Sequence, residues 1–161
     1  MKLILASTSP YRRSLLQRLG LPFTCVSPQV DETPLAGENP PALAARLAQA
    51  KAGAVAGRFP EALVIGSDQV AELDGRALGK PGAFEAAAEQ LQASSGRQVL
   101  FHTGVALQCV ARDLSLLHVE PLAIEVGLGL VKLVDANASS PTKVTSSLYI
   151  SGMDLLVSTN V

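Results

Sequence analysis

The chain has 161 residues, of which 48% are hydrophobic, and a formal net charge of −1. That is enough sequence for one domain with a real core, and the composition excludes a disordered chain. A near-neutral balance excludes a broad nucleic-acid surface but leaves room for one anion held by a local basic cluster. The two cysteines, Cys25 and Cys109, have no metal-like spacing; they read as buried free thiols of a reducing compartment.

Leu3-Ile4-Leu5 is a short continuous apolar run, the pattern of a strand buried on both faces. Ser7, Thr8 and Ser9 follow, then Pro10, Tyr11, Arg12 and Arg13. Ser9 before Pro10 is the signature of an N-cap with proline at the first helical position. A helix start attracts anions, and two adjacent guanidinium groups suit phosphate oxygens. The turn therefore reads either as a polyphosphate cradle or as a capped helix with solvated arginines. The helix is expected from Pro10 to Leu19, with Leu15, Leu16 and Leu19 on its inner face and Gly20 as its stop. One lysine precedes the first apolar run, and charge returns at Arg12. That stretch is too short for a signal peptide or a membrane span, so a cytoplasmic location is the expectation.

Phe23 to Ser27 reads as a second strand between Pro22 and Pro28. Val30-Asp31-Glu32-Thr33-Pro34 is an acidic loop, either an ordinary turn or a source of oxygen ligands for a hard divalent cation. Asn39-Pro40-Pro41 opens an alanine-rich helix, expected from Pro41 to Ala56 with Leu43, Leu47, Ala50 and Ala54 inward. Lys51 is placed at the edge of that face, where a lysine ordinarily snorkels to solvent.

Leu63-Val64-Ile65 forms the next buried strand, and Gly66 permits close backbone approach. Asp68 is expected at the strand's end, where open α/β sheets gather ligands. There it serves either as a turn residue or as a carboxylate that binds metal or takes a proton from water. Asp74-Gly75 marks a hairpin between Val70–Leu73 and Arg76–Leu78. Lys80 follows Gly79, within reach of a phosphate or simply in a loop. A third helix is expected over Phe84–Ser94. Val99–Leu107 follows as one strand or as two with a bend at Gly104, and His102 is read as a strand histidine.

Taken together, Leu-Ile-Leu-Ala-Ser-Thr-Ser-Pro-Tyr-Arg-Arg (3–13), Val-Asp-Glu-Thr-Pro (30–34), Lys51, Ile-Gly-Ser-Asp-Gln-Val (65–70) and Leu-Gly-Lys-Pro (78–81) strongly resemble the Maf family of nucleoside triphosphate pyrophosphatases. The resemblance covers roughly residues 2–125. It implies an α/β fold with a twisted mixed sheet flanked by helices and a cleft between two lobes. It also implies hydrolysis between the α and β phosphates with a divalent cation, Mg²⁺ or Mn²⁺. Ser7, Ser9, Arg12, Arg13, Lys51 and Lys80 would hold the triphosphate, Glu32 and Asp68 the metal, and Asp68 would accept the water's proton. Tyr11 and Gln69 stand where the family distinguishes substrates, and they resemble the subgroup acting on 7-methyl-GTP rather than the one preferring dTTP and UTP. The implied partner is a nucleotide, with neither nucleic acid nor membrane, and a homodimer is compatible with it.

The resemblance is lost after about Val126. The family's Gly-Ser-Phe-x-x-Glu-Gly-like motif is absent from the chain. Residues 1–126 are therefore expected to form the pyrophosphatase core, with an incomplete second lobe. Residues 127–161 are expected to be a divergent tail from a shifted frame or a truncated gene, which re-reading the coding DNA in the other two frames checks. Asn137 to Thr142 reads as a loop, and Ser146–Ile150 and Leu155–Val157 as short strands. A catalytically impaired nucleotide-binding remnant of the same family, or a dTTP/UTP pyrophosphatase, is the alternative.

Overall fold

The computed structural model describes residues 1–79, 84–127, 130–134, 144–145, 148–151 and 154–157. Lys80 and the expected loop at 137–142 lie outside the described residues. The chain divides into two compact units, Met1–Gln69 with Thr103–Glu120 and Val70–His102 with Pro121–Val161.

In the first unit, strand β1 (Leu3–Ala6) lies between β2 (Thr24–Cys25) and β3 (Leu63–Leu73), parallel to both. The sheet continues through β5 (Gln98–Cys109) to β6 (Leu114–Gly127). Helix α1 (Pro10–Gln17) starts as the sequence dictates: the Ser9 hydroxyl accepts from the Arg12 N–H at 3.3 Å, and Pro10 occupies the first turn. It ends two residues sooner than expected and buries none of its residues. Leu15 and Leu19 are exposed, so the leucine spacing here marks a surface helix. Strand β2 is likewise shorter than expected and exposed, which leaves Cys25 on the surface; Cys109 is buried, and both are free thiols.

Helix α2 (Pro40–Ala56) opens on Asn39, whose side chain accepts from the Ala42 N–H at 2.9 Å. Its buried stripe is Leu43, Ala44, Leu47, Ala48, Lys51, Ala52, Val55 and Ala56, so Ala50 and Ala54 lie beside that stripe and Lys51 lies within it. Small residues predominate because the helix rests directly on two strand glycines. A Cβ on Gly66 of β3 would meet Ala48 O at 2.3 Å and Ala52 N at 2.5 Å, and one on Gly104 of β5 would meet Ala44 O at 2.4 Å. Those glycines set the helix close enough to pack Ala48, Ala52 and Val55 against Ile4, Val64 and Ala106. Gly104 is thus a seat for the helix, and β5 runs through it as one strand.

In the second unit, β3 turns into β4 (Arg76–Leu78) through Asp74 and Gly75. Both have positive φ, 50° and 79°, as a two-residue hairpin of this kind requires. Helix α3 spans Phe84–Ser94. Ala71, Leu73, Val99, Ile124 and Val126 form this unit's core. Strand β6 pairs antiparallel with β7 (Leu130–Val134), which pairs with β8 (Val144–Thr145). Strands β9 (Leu148–Ser151) and β10 (Asp154–Val157) make a separate antiparallel pair, close to the two short strands expected there. Parallel and antiparallel pairings together make the sheet mixed. Among the described residues, no helix is long and apolar enough to cross a membrane.

Candidate active site

The site is assembled in the first unit, where α2 lies on β3. Gly66 brings the helix backbone against the strand at Ala48 and Ala52. Lys51 precedes Ala52 and Asp68 follows Gly66 by two residues, so the pleat returns Asp68 to the same face. Lys51 Nζ donates to Asp68 Oδ1 at 2.6 Å and pairs with Glu32 Oε1 at 2.7 Å. Lys51 is 5% exposed and Asp68 8% exposed, so this is an interior ion pair reached from the surface through the half-exposed Glu32. Asp68 is not at a strand end. Strand β3 continues through Leu73, and the Gly66-Ser67-Asp68 segment, made of turn-forming residue types, is held extended in the sheet.

The capped turn adjoins this cluster through the sheet register. Ala6 pairs with Gly66, so Ser7 leaves β1 beside the Ser67–Asp68 segment of β3. Ser7 is 6% exposed, and its hydroxyl accepts from the Ser9 N–H at 3.1 Å, which tightens the turn before α1. Tyr11 and Arg12 are half-buried in the first helical turn, and Arg13 is exposed. Gln69 stands apart from this group. Alternation puts its side chain on the face of β3 opposite Asp68, where its amide donates to Thr103 Oγ1 at 2.9 Å.

The acidic loop is fixed by a residue that sequence reasoning did not single out. Arg46 of α2 donates from Nε to Glu38 Oε1 at 2.6 Å, and from Nη2 to Glu38 Oε2 at 2.8 Å and to the Thr33 carbonyl at 3.0 Å. Thr33 adjoins Glu32, so this clamp also anchors the metal-ligand candidate. An arginine thirteen residues past Thr33 gives no local signal of it. The Arg46 hydrogen bonds, with the Leu35 N–H second, lower the Glu38 carboxyl to about 2 from an ordinary value of 4.5. A lowered folded value means the clamp contributes fully above pH 4.5 and is lost as pH falls through about 2. A carboxyl-carbon NMR titration is expected to give a Glu38 midpoint near 2; a midpoint near 4.5 means the clamp is not closed in solution.

His102 proves to have a partner thirty residues away, in the second unit. Its Nε2 lies 2.5 Å from Glu72 Oε2, with the histidine 7% exposed.

Among the described residues, no three or more His, Cys, Asp or Glu side chains gather as a metal cage. Glu32 and Asp68 do place two carboxylate oxygens about one point, the lysine nitrogen. Two hard oxygen donors suit a cation of the Mg²⁺ type, which commonly takes one or two carboxylates and completes its shell from substrate phosphates and water. The residues present fit that group.

Comparison with known proteins identifies the family. The family model for Maf-like proteins matches residues 2–125. A 7-methyl-GTP pyrophosphatase of Albidiferax ferrireducens is 62% identical over 109 residues, covering 68% of this chain and 55% of that protein. One from Xanthomonas axonopodis pv. citri is 62% identical over 113 residues, covering 70% of this chain and 60% of that protein. The chain thus spans little more than half the length of these curated relatives. The solved structure of the Staphylococcus aureus Ham1 protein superposes with a TM-score of 0.54 at 17% identity, covering 78% of this chain and 71% of that one, and shares the fold.

Proposed function

This chain belongs to the family of Maf-like proteins, and from that premise we propose that it hydrolyses 7-methyl-GTP, or a closely related nucleoside triphosphate, to the monophosphate and pyrophosphate. The observation that carries the proposal is the Glu32–Lys51–Asp68 cluster, set in register beside the Ser7–Arg13 turn. The names of the relatives supply the substrate class.

Asp68 accepts a proton from a water whose oxygen bonds to the α-phosphorus; the α–β bridging P–O bond breaks and pyrophosphate leaves. Arg12, Arg13, Lys51 and the turn at Ser7 and Ser9 hold the phosphate oxygens, whose spread negative charge is best met by cations already in place; the assignment of Lys80 to the same role rests on the family resemblance alone. Glu32 and Asp68 would hold the metal, Mg²⁺ or Mn²⁺, which when bound neutralises charge on those oxygens. Tyr11 offers an aromatic face to the cationic 7-methylguanine ring, a contact worth roughly 0.5–2 kcal/mol. Gln69, on the opposite face of β3 with its amide on Thr103 Oγ1, does not reach the base from this position, so the base contact proposed here rests on Tyr11. The proposed setting is the cytoplasm, which the two free thiols suit. Residues 1–126 form the proposed catalytic core, and the family match, which stops at residue 125, supports that boundary.

Pyrophosphate release across a panel of nucleoside triphosphates with Mg²⁺ tests the proposal. The expected order is 7-methyl-GTP first, GTP next, and dTTP and UTP last. Preference for dTTP or UTP overturns the substrate. A folded sample that binds 7-methyl-GTP and releases nothing is a non-catalytic nucleotide binder.

A further inference from the structure

We infer that Lys51 is the resident cation of the Glu32–Asp68 site, and that polyphosphate and a divalent cation bind together because each needs Lys51 to leave that position. The inference rests on the proposed reaction only in naming polyphosphate as the anion.

The geometry is direct. Lys51 Nζ lies 2.7 Å from Glu32 Oε1 and 2.6 Å from Asp68 Oδ1, so it stands where two hard oxygen donors converge. An ammonium group has three N–H donors and no acceptor. Two of its donors face carboxylates here, and the three side chains sum to a net charge of −1. A phosphate approaching this cluster meets a cancelled lysine charge and two carboxylates. A divalent cation approaching it meets an ammonium already between its ligands.

Burial sharpens the conflict. With Lys51 5% exposed and Asp68 8% exposed, water screens neither repulsion well. Both are relieved by one movement, in which the Lys51 head group turns from the carboxylates to the phosphate oxygens. The carboxylates are then free for the divalent cation, and the lysine charge for the anion. Four rotatable bonds let a lysine make that change without moving α2. Binding of either ligand therefore raises affinity for the other by the same factor.

Weakening the carboxylate side of the bridge releases Lys51, which gives an outcome that simple loss of a metal ligand does not. Glu32→Gln is expected to bind inorganic pyrophosphate, in chelator and without metal, about tenfold more tightly than the unaltered protein by calorimetry. Asp31→Asn removes a neighbouring exposed charge that lies off the bridge, and its amide oxygen can still accept from the Thr33 N–H. It is expected to leave pyrophosphate affinity unchanged. Lys51→Met is expected to bind Mn²⁺ about tenfold more tightly than the unaltered protein without phosphate, read by electron paramagnetic resonance.

Unchanged or weaker pyrophosphate binding by Glu32→Gln overturns the inference, as does equal tightening by Asp31→Asn. Folded Lys51→Met with no gain in Mn²⁺ affinity overturns it too. If Lys51→Met fails to fold, the Glu32 and Asp31 variants decide alone. None of these readouts uses turnover. Absence of 7-methyl-GTP hydrolysis would remove the proposed function and leave this inference standing.

Discussion

Asp68→Asn is expected to slow pyrophosphate release from 7-methyl-GTP by about 10³-fold, within the range for removing a general base. The folded state is expected to survive. The amide has the carboxylate's shape, and its oxygen can still accept from Lys51 Nζ, which sits 2.6 Å from Asp68 Oδ1. Lys51 also keeps Glu32 as an ionic partner at 2.7 Å. What the substitution removes is the charge that draws a proton from water and one charged ligand of the metal. Single-turnover rates with saturating Mg²⁺, beside a melting curve, separate these effects. A slow variant that melts with the unaltered protein assigns Asp68 to the chemistry. A variant with full turnover reduces Asp68 to a counter-ion for a buried lysine, and the catalytic reading fails.

The sequence signals that held are those confined to a few neighbouring residues. Ser9-Pro10, Asn39-Pro40 and Asp74-Gly75 each determine a cap or a turn by local hydrogen bonding or backbone freedom, and each forms as expected. The departures arise where a distant partner decides. Lys51 is seventeen residues from Asp68, and its burial is intelligible only once α2 lies on β3. Gly66-Ser67-Asp68 consists of turn residues, yet strand pairing outweighs that preference and the segment stays extended. Leu15 and Leu19 have helical spacing but lie exposed, so periodicity alone overstated the helix's inner face. Arg46 and Glu72 act through partners that no spacing rule connects to them. The site residues were thus legible as residue types in a recognisable order. Their pairing across α2 and β3 was not.

Gly66→Ala is expected to be the most damaging single-methyl change to stability in the first unit. The added carbon would lie 2.3 Å from Ala48 O, 2.5 Å from Ala52 N and 2.9 Å from Ala52 Cβ. Two of those contacts are helix backbone, which cannot turn aside as a long side chain can. Relief requires α2 to lift from β3, and that loosens Ala48, Ala52 and Val55 from Ile4 and Val64. Overpacking of this kind costs about 3 kcal/mol, or roughly 10 °C in melting temperature for a chain of this size. Gly79→Ala is the matched control, since among the described residues nothing lies within 4 Å of its added carbon; its expected effect is within about 0.5 kcal/mol. The lifted helix also carries Lys51 away from Asp68, so Gly66→Ala should lose activity and thermal stability together, whereas Asp68→Asn should lose activity alone. Equal melting temperatures for Gly66→Ala and Gly79→Ala would mean that α2 is not seated on the glycine. The closeness of Lys51 to Asp68 would then need another cause.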